Sequence, residues 1–386
     1  MSMNPTVRTS PNPVFATNRL RLGLFSTNGR GASQSLVPEA HTTSWEFALR
    51  TARLADRAGY EAIVPYARWK GYPQGDPTHL SGNVMDPFTW AAGIAQATTH
   101  AGVFATSHAP TMHPIVVAKQ AATIDMISNG RFAMNVVGGW NAPEMEMFGA
   151  PLREHDARYE YLAEWLEIIQ RLWAENGEFD HSGEFFNIVR GSSLPKPVQR
   201  PGPPIMNAGG SPRGRRFAAQ HADLCFVVIT SEDLDGIRRQ VNGYKELAAA
   251  EFARSVQVWT HTYVVQRETQ READAYLHRF AVEYEDGESV DAWMRLQAEQ
   301  AQLMPPEALA AFRLRFTAGA GGFPLVGTAD RIVEKLAMLS EGGIDGVLLT
   351  WVDYDDGLER FNADVLPALE KLGLRDPFTP ASGSPF

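Results

Sequence analysis

The 386-residue chain holds a single cysteine, Cys225, set in the apolar run 224–229. One thiol in such a setting builds neither a disulfide framework nor a thiolate metal cluster, so a reducing cytoplasm is the expected compartment. No run of five or six lysines and arginines occurs, and the net charge is −10. Nucleic acid and anionic membranes are therefore not expected as partners. No stretch approaches the roughly 20 uninterrupted apolar residues that a membrane-spanning helix needs. Several chemical motifs are missing as well. There is no G-x-S-x-G elbow for a serine hydrolase, no His-x-x-x-His pair for zinc, and no G-x-G-x-x-G after the first apolar strand.

What is present reads as an ordinary globular chain. Hydrophobic residues make up 44% and charged residues 21%, enough to bury a large core without a bias to disorder. Residues 1–18 carry three prolines and small polar residues without a signal-peptide core, and are expected to form a loose arm. Residues 375–386 are expected to be a flexible tail. Between them, in 19–374, short apolar runs alternate with stretches of helical periodicity. Strands are expected at 19–25, 61–65, 102–106, 131–137, 204–207, 224–229, 256–266 and 346–350. Eight strands alternating with helices predict a (β/α)8 TIM barrel, with a doubly wound open sheet as the competing architecture. Residues 268–316 read as helical and 317–327 as glycine-rich, so 268–325 forms a helical insertion between strands 7 and 8. It is far longer than a normal βα connection. Two readings stay open: a lid over the barrel mouth hinged at 317–323, or a structural or dimer surface.

The C-terminal ends of barrel strands converge on one face, where such proteins place their chemistry. Those ends offer Ser26, Thr27 and Asn28, then Tyr66, Ala67 and Arg68, then Thr106, Ser107 and His108. Asn135 through Trp140, Asn207 through Ser211, and Trp351 with Tyr354 complete the set. Amides, hydroxyls and aromatics dominate, which suits a planar aromatic ligand better than hydrolysis by two carboxylates. After the fifth strand, Gly209, Gly210 and Ser211 open a helix that carries Arg213, Arg215 and Arg216. Backbone N–H groups, a hydroxyl and the helix dipole there make an anion site. Arg158 and Tyr159 are a second phosphate-gripping pair. No metal site is expected, and His155 and His221 read as surface histidines. Glu144 reads either as a solvated acid at a helix start or as a ligand contact.

The separated segments ATIDMISNGRFAMNVVGGWNAPEMEMFG, HDARYEYLAEWLEIIQRLW, GEFFNIV, SLPKPVQRPGPPIMNAGGSPRGRRFAAQHADLCF, LVGTADRIVEKLAML and GIDGVLLTWVDY occur in that order. Together they resemble the bacterial-luciferase-like flavin monooxygenases. The similarity is greatest to the branch of the pyrimidine-ring-opening, dimethylsulfone and alkanesulfonate monooxygenases. The resemblance implies the barrel and a cofactor, FMN, delivered as FMNH2 by a separate NAD(P)H:flavin reductase. It also implies O2 as co-substrate, activated as a flavin peroxide at C4a or N5, and a small heterocyclic or organosulfur substrate. Carried over by position, it puts flavin contacts at Ala67, Arg68, Asn135, Glu144, Arg158, Tyr159 and Ser211, with Gly210 beside them. Thr106 and Asn135 become the oxygen-handling, catalytic pair. Val64, Tyr66, Trp69, Gly138, Trp140 and Trp351 border the substrate pocket. Gly138 replaces a threonine of the pyrimidine oxygenases, which predicts a bulkier or less polar substrate. A homodimer or homotetramer is expected. The alternatives are a deazaflavin-dependent hydride-transfer enzyme on the same barrel and a non-catalytic flavin-binding relative.

Overall fold

The computed structural model describes residues 9–150, 153–297 and 306–380. Eight strands close into a parallel barrel in the order β1 (Arg21–Phe25), β2 (Ala62–Val64), β3 (Gly102–His108), β4 (Phe132–Val137), β7 (Ile205–Asn207), β8 (Leu224–Phe226), β9 (Gln257–Gln266) and β11 (Gly346–Thr350). The β8–β9 and β11–β1 pairings complete the ring. Parallel strands have both faces covered, which is why each of them reads as a short apolar run without alternation. Helices α1 (Trp45–Arg57), α2 (Pro87–Ala97) and α3 (Pro114–Ile127) follow the first three strands. A short α4 (Ala142–Met147) and the long α5 (His155–Ala174) follow β4, and α6 (Pro212–His221) and α7 (Leu234–Phe252) come after β7 and β8. Ser44 caps α1 as its sequence predicts, its hydroxyl accepting from Phe47 N at 3.1 Å.

The lower interior is filled by Ala62, Phe104, Ala133, Leu224, Trp259 and Leu348. Trp259 takes so much of that space that a Cβ at Gly346 would stand 2.4 Å from its ring, so the neighbouring strand must be bare there. Val14, fully buried, belongs to the same cluster. Asn12 holds the segment in place, its Nδ2 donating to the carbonyls of Arg131 (2.9 Å) and Phe132 (3.1 Å). The expected loose arm is thus packed from Thr9 onward, where an isolated bridge pairs it with Arg200. The expected flexible tail is likewise anchored where it begins, Arg375 pairing with Glu61 at 2.7 Å and Phe378 packing on His100 at 4.3 Å, and residues 1–8 and 381–386 lie outside the described residues.

Two elements were not foreseen. An antiparallel hairpin, β5 (Phe179–Ser182) with β6 (Asn187–Gly191), follows α5. Strand β10 (Phe323–Gly327) occupies the segment expected to be a glycine-rich loop and pairs with the outer half of β9, Phe323 opposite Thr262. Among the described residues, the insertion holds α8 (Gln270–His278), a π turn over Arg279–Glu283, α9 (Gly287–Leu296) and a helix over Pro306–Gly319. Thr317 to Gly319 therefore end a helix. The turn that follows is pinned, with Ala320 O 3.1 Å from His261 Nε2 and Gly322 O accepting from Arg315 Nη2 at 3.2 Å. Inside the insertion, Trp293 and Phe316 stack at 3.7 Å, and Phe316 meets the Tyr72 ring edge-on at 5.6 Å.

Candidate active site

A cavity of about 390 Å³ opens at the C-terminal ends of the barrel strands. Phe25, Val64, Thr106, Asn135, Asn207 and Phe226 come from the strands themselves, and Tyr66 to Arg68, Gly138 to Trp140 and Ala208–Gly209 from the loops beyond them. His155, Arg158 and Tyr159 enter from the first turns of α5.

The register of β3 against β4 places Thr106 beside Asn135. Thr106 Oγ1 donates to Pro65 O at 2.5 Å and accepts from Asn135 Nδ2 at 3.2 Å. Since the hydroxyl has one proton and it goes to Pro65, the amide must present nitrogen to Thr106. Asn135 Oδ1 is left buried with no protein partner. A buried acceptor in that condition costs about 1–3 kcal/mol, so the site is built for a ligand that donates to it.

His108, 3% exposed, lines the same cavity, with Nδ1 3.5 Å from Glu144 Oε2. Glu144 Oε1 accepts from the backbone N–H groups of Trp69 (2.9 Å) and Lys70 (3.2 Å). Burial works to raise the Glu144 carboxyl, but His108 and the two N–H groups outweigh it and hold it below the usual carboxylate range. Glu144 is not among the residues that line the cavity, and its Oε1 bonds tie down the backbone just past Tyr66 to Arg68. Arg68 lies over the Tyr72 ring at 3.8 Å and the Tyr66 ring at 5.3 Å, and donates to Tyr72 Oη at 2.6 Å.

Arg158 and Tyr159, expected to grip an anion, line the same cavity. Arg158 Nη1 donates to Gly139 O at 3.1 Å, and its buried Nε has no partner. Tyr159 packs on Phe217 at 5.7 Å. Gly209 lines the cavity, whereas Gly210 and Ser211 stand just outside the lining, and Ser211 Oγ is spent capping α6 through Gly214 N at 3.1 Å. The arginines of α6 contribute less than expected. Arg213 pairs with Glu160 at 3.5 Å, Arg216 pairs with Glu251, and Arg215 lies over Tyr244 at 5.2 Å.

Ala67, Arg68, Thr106, Asn135, Arg158, Tyr159, Val64, Tyr66, Gly138 and Trp140 are therefore gathered around one cavity. Trp69 and Trp351 are not. The Trp69 ring turns outward onto Phe148 at 5.2 Å, and Trp351 is buried against Tyr354 and Phe361 at 5.7 and 5.9 Å. Tyr354 is fully buried too, its hydroxyl given to Phe25 O at 2.5 Å. Gly138 needs no special backbone. A Cβ there would meet nothing nearer than Arg158 at 3.6 Å, so its bareness enlarges the cavity and is not a turn requirement. The surface reading holds for His155, whose side chain is 46% exposed although it also borders the cavity, but not for His221, which is packed on Phe217, with burial lowering its pKa to about 4.

Sequence reasoning placed His108 at the mouth without giving it a role, and passed over Phe25 and Phe226. His108 follows Thr106 at strand period two and so shares its face. His155 lies three and four residues before Arg158 and Tyr159, a spacing that puts all three on one helix face. Among the described residues, His41, Asp353 and Asp355 bring three ligand-type atoms within 4.8 Å of one another. Those atoms are already used, His41 Nε2 accepting from Tyr354 N and Asp355 binding Arg50.

A parallel barrel whose mouth pairs a hydroxyl with an amide opposite an arginine grip defines a class, and comparison with known proteins agrees. The family of luciferase-like monooxygenases matches residues 20–346. The chain is 30% identical over 360 residues to the pyrimidine monooxygenase RutA of Acinetobacter baylyi, covering 91% of this chain and 95% of that protein. It is also 30% identical over 356 residues to the FMNH2-dependent dimethylsulfone monooxygenase of Pseudomonas putida, covering 86% and 90%. DmoA from Hyphomicrobium sulfonivorans superposes with a TM-score of 0.81 at 22% identity over 94% of this chain and 90% of that one, a likeness of fold. The chain belongs to the luciferase-like monooxygenases and is an oxidoreductase of that family.

Proposed function

We propose that this protein uses FMNH2 and O2 to oxygenate a small heterocyclic or organosulfur compound, as the names of its relatives describe for theirs. The observation that carries the reading is the unpartnered Asn135 Oδ1, buried beside Thr106 at the head of a cavity whose other end holds Arg158. These residues fit FMN. Arg158 and Tyr159, with the Gly209 backbone and the start of α6, would hold the phosphate. Asn135 Oδ1 would accept from a ring N–H, and Ala67 and Arg68 would flank the ring. When bound, reduced FMN supplies two electrons to O2, so that one oxygen atom enters the substrate and the other leaves as water. The chain's own part is position and dryness. Asn135 and Thr106 hold the polar face, while Phe25, Val64 and Phe226 keep water from it. Tyr66 and Trp140 form aromatic walls for a ring, and the space at Gly138 admits a bulkier group than a threonine would.

The 268–325 insertion acts as a roof, its Trp293–Phe316 stack resting on Tyr72. A separate NAD(P)H:flavin reductase delivers FMNH2 in the cytoplasm. No helix among the described residues is long and apolar enough to cross a membrane. Exposed Val116, Met126 and Ile127 on α3, with Leu194 held beside it by Lys119, support a homodimer or homotetramer.

The test is to supply FMNH2 through a reductase and NADH under ¹⁸O2, with a panel of ring amides and organosulfur compounds. One labelled oxygen per product molecule is expected. Bound FMNH2 reoxidised only at its free-solution rate, with no labelled product, would overturn the proposal. A deazaflavin hydride-transfer enzyme would consume no O2 at all.

A further inference from the structure

Next to the main cavity and sharing Phe25, Tyr66 and Arg68 with it lies a chamber of about 90 Å³. The chamber is also lined by Arg30, Gln34, Tyr72 and Ser81. Two of its walls are cations. Arg30 has a side chain only 9% exposed, and its buried Nη1 makes no hydrogen bond. The other Arg30 amino group, Nη2, is committed to Ser35 O. Asp286 is its ion-pair partner, Oδ2 standing 3.9 Å from Nη1, too far for a hydrogen bond, so that both atoms keep an unfilled hydrogen-bonding site. Arg68 has the Tyr72 phenol as its hydrogen-bond partner and two tyrosine rings across its faces. No carboxylate of the described residues comes within 4.0 Å of it, and Glu144, the acid that acts on it, is bound to the 69–70 backbone and His108.

Leaving buried guanidinium donors without acceptors is expensive, because the penalty of taking them out of water is repaid only by a partner. The chain holds this arrangement firmly. Ser26, which ends β1 into the chamber, is buried at φ +68°, a conformation costly for a non-glycine residue. Its N–H donates to Val64 O at 3.0 Å.

We infer that the Arg30–Arg68 chamber is a subsite for an oxyanion of the substrate, a carboxylate or a sulfonate, whose organic body lies in the main cavity. This rests on the monooxygenase reading and narrows its substrate class from any small heterocycle or organosulfur compound to an acidic one. Arg30 Nη1 supplies a donor the protein leaves open, and a guanidinium matches a carboxylate or sulfonate edge better than it matches a neutral carbonyl.

Isothermal titration of the full-length protein, with and without FMN, tests this with benzoate, benzenesulfonate and benzamide as probes. Both anions are expected to bind about tenfold or more tighter than the amide, the scale of one charge-assisted hydrogen bond. Arg30→Gln should erase that preference, and Arg30→Lys should restore part of it. Benzoate over benzenesulfonate, or the reverse, assigns the headgroup. Equal affinity of wild type for anion and amide overturns the inference, as does an unchanged preference in Arg30→Gln. Because Arg158 also attracts anions, the ratio is measured again in Arg158→Gln, and its survival or loss there decides even if Arg30→Gln does not fold. FMN titrated alone into the same protein separates the two claims: failure to bind FMN removes the flavin reading and leaves the anion result standing on its own.

Discussion

Because the Thr106 proton is taken by Pro65 O, the orientation of Asn135 is fixed by a neighbour rather than by the ligand. Preorganisation of that kind lets a donor or acceptor act without being reoriented during the reaction. Thr106→Val removes the oxygen that holds the amide and Asn135→Ala removes the amide. Each is expected to lower oxygenated product formed per O2 consumed by about 10²-fold, and Thr106→Ser should recover most of the loss. Full coupling in both deletion variants would exclude the pair from the chemistry. Glu144 makes a different, pH-dependent prediction. Its folded-state carboxyl is held below the ordinary range by His108 and two N–H groups, so it favours folding above the unfolded pKa of about 4.3, and that contribution fades as pH falls through the lower folded value. Melting curves of wild type and Glu144→Gln should therefore differ most near neutrality and converge on acidification below about pH 4. A gap that persists at acid pH would mean that shape, not charge, holds the loop.

At the scale of elements, ion pairs here differ by where they sit. Glu61 and Arg375, each with a side chain 1% exposed, pair at 2.7 Å and join the end of the chain to the base of β1, Glu61 also accepting from Leu22 N at 2.8 Å. Arg50 and Asp355 also pair at 2.7 Å, but at 44% and 43% exposure. Removing one partner of the first leaves a buried charge alone, so Glu61→Ala should cost about 3–5 kcal/mol in urea unfolding, whereas Arg50→Ala should cost about 0–1 kcal/mol. Comparable losses would mean that water reaches Arg375. The barrel strands were legible because a strand buried on both faces is a short apolar run between turn residues. Strand β10 was hidden for the opposite reason. Its FPLVG sequence carries Pro324 and follows three glycine-rich positions, and proline is tolerated only because β10 lies at the edge of β9. The β5–β6 hairpin buries only Phe179, Ile188 and Gly191 of its nine strand residues, too few to set up a period. Residues 279–283 and 361–365 form π turns within helical stretches, and such i to i+5 turns leave no mark in apolar spacing.

Across the whole molecule, position along a strand predicted which residues reach the mouth, but not which way loop side chains turn. Asn135 and Thr106 are carried by strands and arrive where the period puts them, whereas Trp69 and Trp351 sit past strand ends, where loop packing decides. The Glu144–His108 contact joins two elements whose approach only the closed barrel creates. The same holds for the insertion, whose helical character was readable and whose seat was not. It rests on the barrel through Phe316, 2% exposed between Trp293 and Tyr72, and Tyr72 in turn packs near Trp140 at 6.4 Å, so its packing reaches a residue of the cavity wall. Phe316→Ala removes about 3–5 kcal/mol of packing. Since those contacts join insertion to barrel, the loss should appear as local opening and leave the barrel folded. Hydrogen exchange is then expected to quicken across Gly287–Leu296 and Pro306–Gly319 while β1 to β4 keep their protection. Water entering through the opened roof should lower product formed per O2 consumed by the reductase-coupled enzyme. Exchange that rises equally in the barrel strands would make the insertion part of the core, and unchanged exchange with unchanged coupling would deny it any part in closing the site.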